Sequence, residues 1–181
     1  MIGFQRPEWY TEDLELLADT ATRFAERECL PHEARWREQR RGDREVWNKA
    51  GAAGLLCASI PEQYGGGGGH FGHEVAMTQA LARAMASGFS NGVHSVIVAH
   101  YLLRYASEEQ KQRWLPKMAS GEMVAAIAMT EPGAGTDLQA IRTTAKKDGD
   151  HYVINGAKTF ITNGYHANLV CIVARTGAEQ G

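Results

Sequence analysis

The sequence is poor in cysteine. Its three, Cys29, Cys57 and Cys171, lie far apart, and none forms a CxxC pair. That excludes a disulfide framework and a zinc knuckle and points to a reducing compartment. No sign of charge dominates. Nineteen basic against 21 acidic side chains leave a net charge of −2, which argues against a nucleic-acid binder or an anionic-membrane binder driven by charge. The densest basic stretch, Arg35 to Arg44, is broken by Glu38 and Asp43 and reads as a solvated helix face. Long apolar runs are missing too. The strongest candidate, Val93 to Leu103, is interrupted by His94 and His100. It is too short to span a bilayer and fits a buried helix. The opening "MIGFQRPEWY" lacks the basic-then-apolar pattern of a signal peptide. What remains is 181 residues, 44% of them apolar: one domain or two small ones, with material for a core.

Two periodicities divide the chain. Residues 1–121 follow the helical step. Leu14, Leu17, Ala18, Ala21, Phe24 and Ala25 recur at three- and four-residue intervals behind Thr11, the expected N-cap. Pro31 is expected to stop that helix. Asp43 is expected to cap a second, ended by Gly54. A third runs from about Gly72 to Ser87 and a fourth from about Gly92 to Tyr105. Ser107 and Gln110 form a capping box for a fifth, disturbed by Pro116. Residues 122–181 change to short β-prone runs: Val124 to Met129, Thr143 to Lys147, Tyr152 to Ile154, Thr159 to Thr162 and Leu169 to Ala174. Asp148-Gly149, Asn155-Gly156 and Asn163-Gly164 punctuate them, and such pairs signal hairpins or bulges. The expected fold is α+β: an all-helical domain over 1–121, then an incomplete antiparallel β domain over 122–181. The last strand would remain an edge, as in the front part of something longer.

Two glycine-containing stretches are candidates for chemistry. "QYGGGGGH", Gln63 to His70, lacks the Lys-Ser/Thr of a P-loop and follows Pro61 rather than a strand. A flexible interhelical loop is the expected reading. His70 and His73 lack the HExxH spacing. His94 and His100 are six apart and fall on different helix faces. No metal site is expected. "MTEPGAGTD", Met129 to Asp137, differs. Thr130 and Thr136 supply hydroxyls, and Gly133 and Gly135 free backbone N–H groups for an anion or a heteroaromatic edge. An ordinary Pro-Gly turn fits the composition equally well. In "AKTFITNG", Ala157 to Gly164, Phe160 and Thr162 would share one face of a strand, where a half-buried Phe is the plain reading.

The run "AIAMTEPGAGTDLQAIRTTAKKDGDHYVINGAKTFITNG" resembles the acyl-CoA dehydrogenase family, and its long-chain branch most. "SEEQKQRWLPKMASGE" and "PEQYGGGGG" are similar to segments upstream of that motif in the same family. The resemblance covers essentially the whole chain. It implies FAD as cofactor, with Ile127, Met129, Thr130, Gly135, Thr136, Phe160, Ile161 and Thr162 facing it. By the resemblance Thr130 and Thr162 hydrogen-bond the isoalloxazine, Gly135 and Thr136 approach the pyrophosphate, and Thr136 also lies near the acyl-CoA. Most relatives carry Ser at the position of Thr136 and many carry Trp at that of Phe160. The implied reaction is α,β-dehydrogenation of an acyl-CoA thioester, with an electron-transfer flavoprotein as acceptor. A dimer or tetramer of the full-length protein is implied, in the bacterial cytoplasm or a mitochondrial matrix. The family's catalytic Glu comes from a C-terminal helical domain. No residue here matches it, and Glu131, followed by Pro132, is read as a turn-stabilising carboxylate. The alternatives are a non-catalytic binding or scaffold module of the same fold, or an acyl-CoA oxidase-type relative.

Overall fold

The computed structural model describes residues 8–177. The readings of the N-terminal Met1 to Pro7 and of the tail from Ala178 lie outside it.

Among the described residues six α-helices precede four short strands. They are α1 (Glu12–Phe24), α2 (Glu33–Gln39), α3 (Glu45–Ala52), α4 (Phe71–Arg83), α5 (Ala99–Tyr105) and α6 (Glu108–Ala119), then β1 (Ala125–Ala128), β2 (Thr144–Asp148), β3 (His151–Asn155) and β4 (Leu169–Ile172). The apolar stripe of α1 buries Leu14, Ala21 and Phe24. Pro31 does not stop the chain's helical course as expected. A wider π-helical segment at Ala25–Cys29 and a tight turn at Leu30–His32 carry it into α2, and Pro31 sits early in that turn, where its missing N–H is not needed. Asp43 does not cap α3; its carboxylate is engaged by the Arg35 guanidinium instead. The Ser107–Gln110 box on α6 forms as expected. So does the stretch from Gly92 to Tyr105, as a π-helical segment at Gly92–Val98 running into α5.

Two apolar clusters hold the fold. In the first, Phe24, Trp36, Trp47, Met77, Leu81 and Phe89 pack together, with Trp47 edge-on to Phe89 at 4.9 Å. In the second, Ile60, Tyr64, Val98, Leu102, Leu115 and Met118 pack together. Val124 belongs to the first and Ala125 to the second, so the entry to β1 is wedged between them.

The antiparallel expectation holds for the hairpin: Thr144 faces Asn155 and Asp148 faces His151, around the Gly149 turn. β1 and β4, however, pair in parallel, with Ala125 opposite Leu169 and Ala128 opposite Ile172. The chain leaves β1, builds the hairpin and returns to the starting end, as a parallel pair requires. The segment Thr159 to Thr162 is not a strand, contrary to expectation. Lys158 is drawn inward before it, and Phe160 adopts a left-handed φ of 55° that breaks any ladder.

Polar ties fix β1 to the helices. His94 is fully buried; its Nδ1 accepts the Ala125 N–H at 3.0 Å and its Nε2 faces the Met118 carbonyl at 3.1 Å. The neutral ring with its proton on Nε2 satisfies both. Burial pushes its pKa down to about 4. Asn163 donates to the carbonyls of Ser90 and Ala125. Arg44 donates to the carbonyls of Gly121 and Glu122 at 2.7 and 2.6 Å, clamping the turn where helices give way to strands.

Candidate functional site

At the exit of β1 the chain turns at Glu131, whose N–H and carbonyl pair with the backbone of Ala134. The side chain is 7% exposed. Its carboxylate accepts three hydrogen bonds: from the Arg142 N–H at 2.6 Å, the Thr143 N–H at 2.9 Å and Lys158 Nζ at 2.9 Å. Lys158 first, then the Thr143 and Arg142 donors, hold its pKa down at about 2. A carboxylate so engaged is a poor proton acceptor and a good clamp. The turn-stabilising reading of Glu131 agrees with this geometry.

Lys158 also donates to the Met129 carbonyl at 2.8 Å, and the Thr159 N–H donates to the Thr130 carbonyl at 3.0 Å. The segments 127–131 and 158–162 are thereby stitched side by side. Ile127 lies in β1 opposite Cys171. Met129 and Thr130 follow it, both half-buried, while Ile161 and Thr162 sit in the turn that Ile161 closes by accepting the Gly164 N–H at 2.9 Å. Gly135 and Thr136 lie exposed in the loop beyond Ala134; the Glu131–Ala134 turn connects them to the rest, and no hydrogen bond joins them to 160–162. Phe160 is 92% exposed. It does not share a strand face with Thr162 as expected.

What the loop leaves unspent is its main property. Among the described residues, no protein hydrogen bond engages the hydroxyls of Thr130, Thr136 or Thr162, or the N–H groups of Gly133, Gly135 and Thr136. A Cβ added at Gly133 or Gly135 would meet nothing within 4 Å. Open donors and a bare aromatic ring beside a rigid strand fit a flat heteroaromatic with an anionic tail, and so fit FAD.

The other candidates resolve differently. Every N–H from Gly65 to Gly69 donates to a backbone carbonyl, those of Glu62, Pro61, Cys57, Ile60 and Ala58 in turn. The pentaglycine is a packed turn rather than the flexible loop expected, and it has no amide left for a phosphate. Among the described residues no group of three His, Cys, Asp or Glu side chains could hold a metal ion. His70 and His73 cap the start of α4, and His100 meets Ser59 at 2.9 Å. Lys158 escaped the sequence reading, and His94 was weighed there only as a metal ligand. Their signals were present: a Lys amid β-prone residues needs an anion, and a His inside an apolar helix needs two partners.

No helix among the described residues is long and apolar enough to cross a membrane. The family description "Acyl-CoA dehydrogenase, N-terminal domain" matches residues 11–122, and "Acyl-CoA dehydrogenase, middle domain" matches residues 126–181. The chain is 41% identical over 178 residues to the mitochondrial long-chain specific acyl-CoA dehydrogenase of Sus scrofa, covering 98% of this chain and 41% of that protein. The crystal structure of an acyl-CoA dehydrogenase from Geobacillus kaustophilus superposes with a TM-score of 0.91 at 42% identity, over 96% of this chain and 46% of that one. That of an acyl-CoA dehydrogenase complexed with FAD from Bacillus anthracis gives 0.85 at 34% identity, over 95% and 30%. The chain thus spans less than half the length of these relatives, and over that span it belongs to the acyl-CoA dehydrogenase family.

Proposed function

We propose that this chain forms the helical and flavin-facing parts of an FAD-dependent acyl-CoA dehydrogenase acting on acyl-CoA thioesters. The observation that carries the reading is the stitching of 127–131 to 158–162 through Lys158 and Thr159, beside a loop whose donors are unspent. FAD, when bound, supplies a two-electron acceptor for hydrogen leaving the acyl chain. The chain's part is to bind and orient. Thr130 and Thr162 would hold the ring through their hydroxyls, and Gly135 and Thr136 would offer N–H groups to its anionic tail, with the Thr136 hydroxyl near the acyl-CoA. Glu131 and Lys158 keep the wall rigid, so that little reorganisation accompanies the reaction. Glu131, with its carboxylate engaged by Arg142, Thr143 and Lys158, is not proposed as the base for the acyl α-proton. Domain limits of 1–121 and 122–181 are part of the reading, and the Arg44 clamp at Gly121 supports them. An electron-transfer flavoprotein as acceptor, a dimeric or tetrameric full-length enzyme, and a cytoplasmic or matrix location complete the proposal.

The test is an FAD titration of the 181-residue chain followed by fluorescence quenching, beside electron-acceptor reduction with several acyl-CoAs. Weak FAD binding, loosened further in Thr130→Val and Thr162→Val, and no turnover are expected. One lost hydrogen bond to a buried heteroatom is worth about 1–3 kcal/mol. Binding that ignores both substitutions would sink the flavin-wall reading. Robust turnover would return Glu131 to the role of base.

A further inference from the structure

A cleft of about 430 Å³ opens beside the 161–166 turn, between it, the C-terminal end of α2 and the 87–90 loop. This volume lies within the range of small-molecule sites. Arg37, Arg40 and Arg41 line it, with Glu33 as the acid among its lining residues. Glu33 is buried and committed: it accepts from the Ser87 hydroxyl and the Gly88 N–H, both at 2.9 Å. Three guanidinium charges against one carboxylate leave two positive charges facing the opening. Arg41 lies over the Tyr165 ring at 4.3 Å, which holds one guanidinium in place. Arg40 ends α2 with φ 58°, and Asn163 on the opposite wall has φ 65°. Glycine fills a left-handed helix C-terminus at no steric cost. At Arg40 the position carries a cation at the edge of the cleft instead.

We propose that this cleft binds a small phosphate-class dianion, free or as the phosphate of an organic ligand, with Arg40 and Arg41 as its principal donors. Guanidinium groups suit such ligands because their paired N–H groups match paired oxygens. The cleft shares Ile161 and Thr162 with the proposed flavin wall, but Arg40 and Arg41 lie off that wall, and its test needs no flavin.

Trp36 and Trp47 line the cleft, so tryptophan fluorescence reports occupancy. The chain is titrated with inorganic phosphate, pyrophosphate and adenosine monophosphate at about 0.15 M salt, where exposed charges are already screened. Saturable binding is expected for at least one. Tighter binding of the nucleotide identifies an organic phosphate; equal or tighter binding of the inorganic ions identifies free phosphate. Arg40→Gly separates function from capping. It relieves the left-handed strain and should raise the unliganded melting temperature by about 2 °C, while weakening binding about tenfold or more. Arg41→Ala should weaken binding similarly without that rise. An Arg40→Gly chain that binds as the parent does, or a parent response that never saturates, overturns the proposal.

Discussion

Two glycine-rich turns, alike in composition, do opposite work. From Gly65 to Gly69 every N–H is spent on a carbonyl of the stretch just before it, Cys57 to Glu62. Backbone packs on backbone, and a Cβ at Gly66 would fall inside contact distance of the Ile60 carbonyl. Between Glu131 and Asp137 the glycines stand in open space with their N–H groups unspent. In the first loop glycine is required by close approach; in the second it keeps a surface clear. The flanks explain the difference. The first loop folds back over Cys57 to Ile60, whose carbonyls point outward to receive it. The second is held at its base by the Glu131–Lys158 pair and the Glu131–Ala134 backbone pair, so its glycine amides need not bond within it. Glycine content alone therefore says little about ligands; where the amide hydrogens go decides.

The largest effect expected from breaking this contrast is at Gly66. Gly66→Ala should destabilise the chain by about 3 kcal/mol, because the methyl group can be accommodated only if backbone moves. The midpoint of urea unfolding measures it. A loss below half a kcal/mol would mean that the loop is as open as the other one.

Acid separates the two ends of β1. His94, at its entry, is neutral in the fold with a pKa near 4, against about 6.5 when unfolded. Between these values the unfolded chain binds the extra proton, so stability is full above about pH 6.5 and falls as the pH drops toward 4. The loss reaches about 3 kcal/mol. Glu131, at the exit, has its pKa depressed to about 2. Its contribution is present above the ordinary carboxylate range and is lost only as the pH falls through that range toward 2. Unfolding midpoints recorded from pH 7.5 to 4 should decline for the parent and much less for His94→Gln, which keeps a donor and an acceptor without the titration. Parallel declines would remove His94 as the cause.

Lys158→Met should have a smaller, local effect. It removes the donor shared by Glu131 and the Met129 carbonyl while keeping the aliphatic length. FAD affinity should fall about tenfold, the worth of one charge-assisted hydrogen bond. Fluorescence quenching by FAD reads it directly.

Most of the helical framework was legible because burial follows a period. The stripe of α1 and the capping box of α6 are local patterns, and local patterns survive folding. The β1 exit was legible through the family resemblance of its motif. The path of Thr159 to Thr162 was not. Its residues favour a strand, but one ammonium group drawn between Glu131 and Met129, 27 and 29 residues away, overrides them. Pro31 misled for a related reason: a break in the α-helical step need not break the helix when π-helical and tight turns bridge it. The parallel pairing of β1 with β4 depends on where the hairpin returns the chain, and no dipeptide encodes that.

The smallest expected effect is also the sharpest use of the comparison. At Gly133 an added methyl meets nothing within 4 Å, and the backbone is not left-handed there. Gly133→Ala should leave stability within about 0.5 kcal/mol of the parent, or raise it slightly by restricting the unfolded chain. The same methyl stands beside the open amides, so FAD should bind more weakly although the fold is untouched. The substitution that is ruinous at Gly66 thus becomes a clean probe of binding in the other loop. Urea midpoints and FAD quenching on the two variants form a crossed pair. If Gly133→Ala costs as much stability as Gly66→Ala, the second loop is packed after all and its free amides are not a site. If it leaves both stability and FAD binding unchanged, the loop is open but the cofactor lies elsewhere along the Thr130–Thr162 wall.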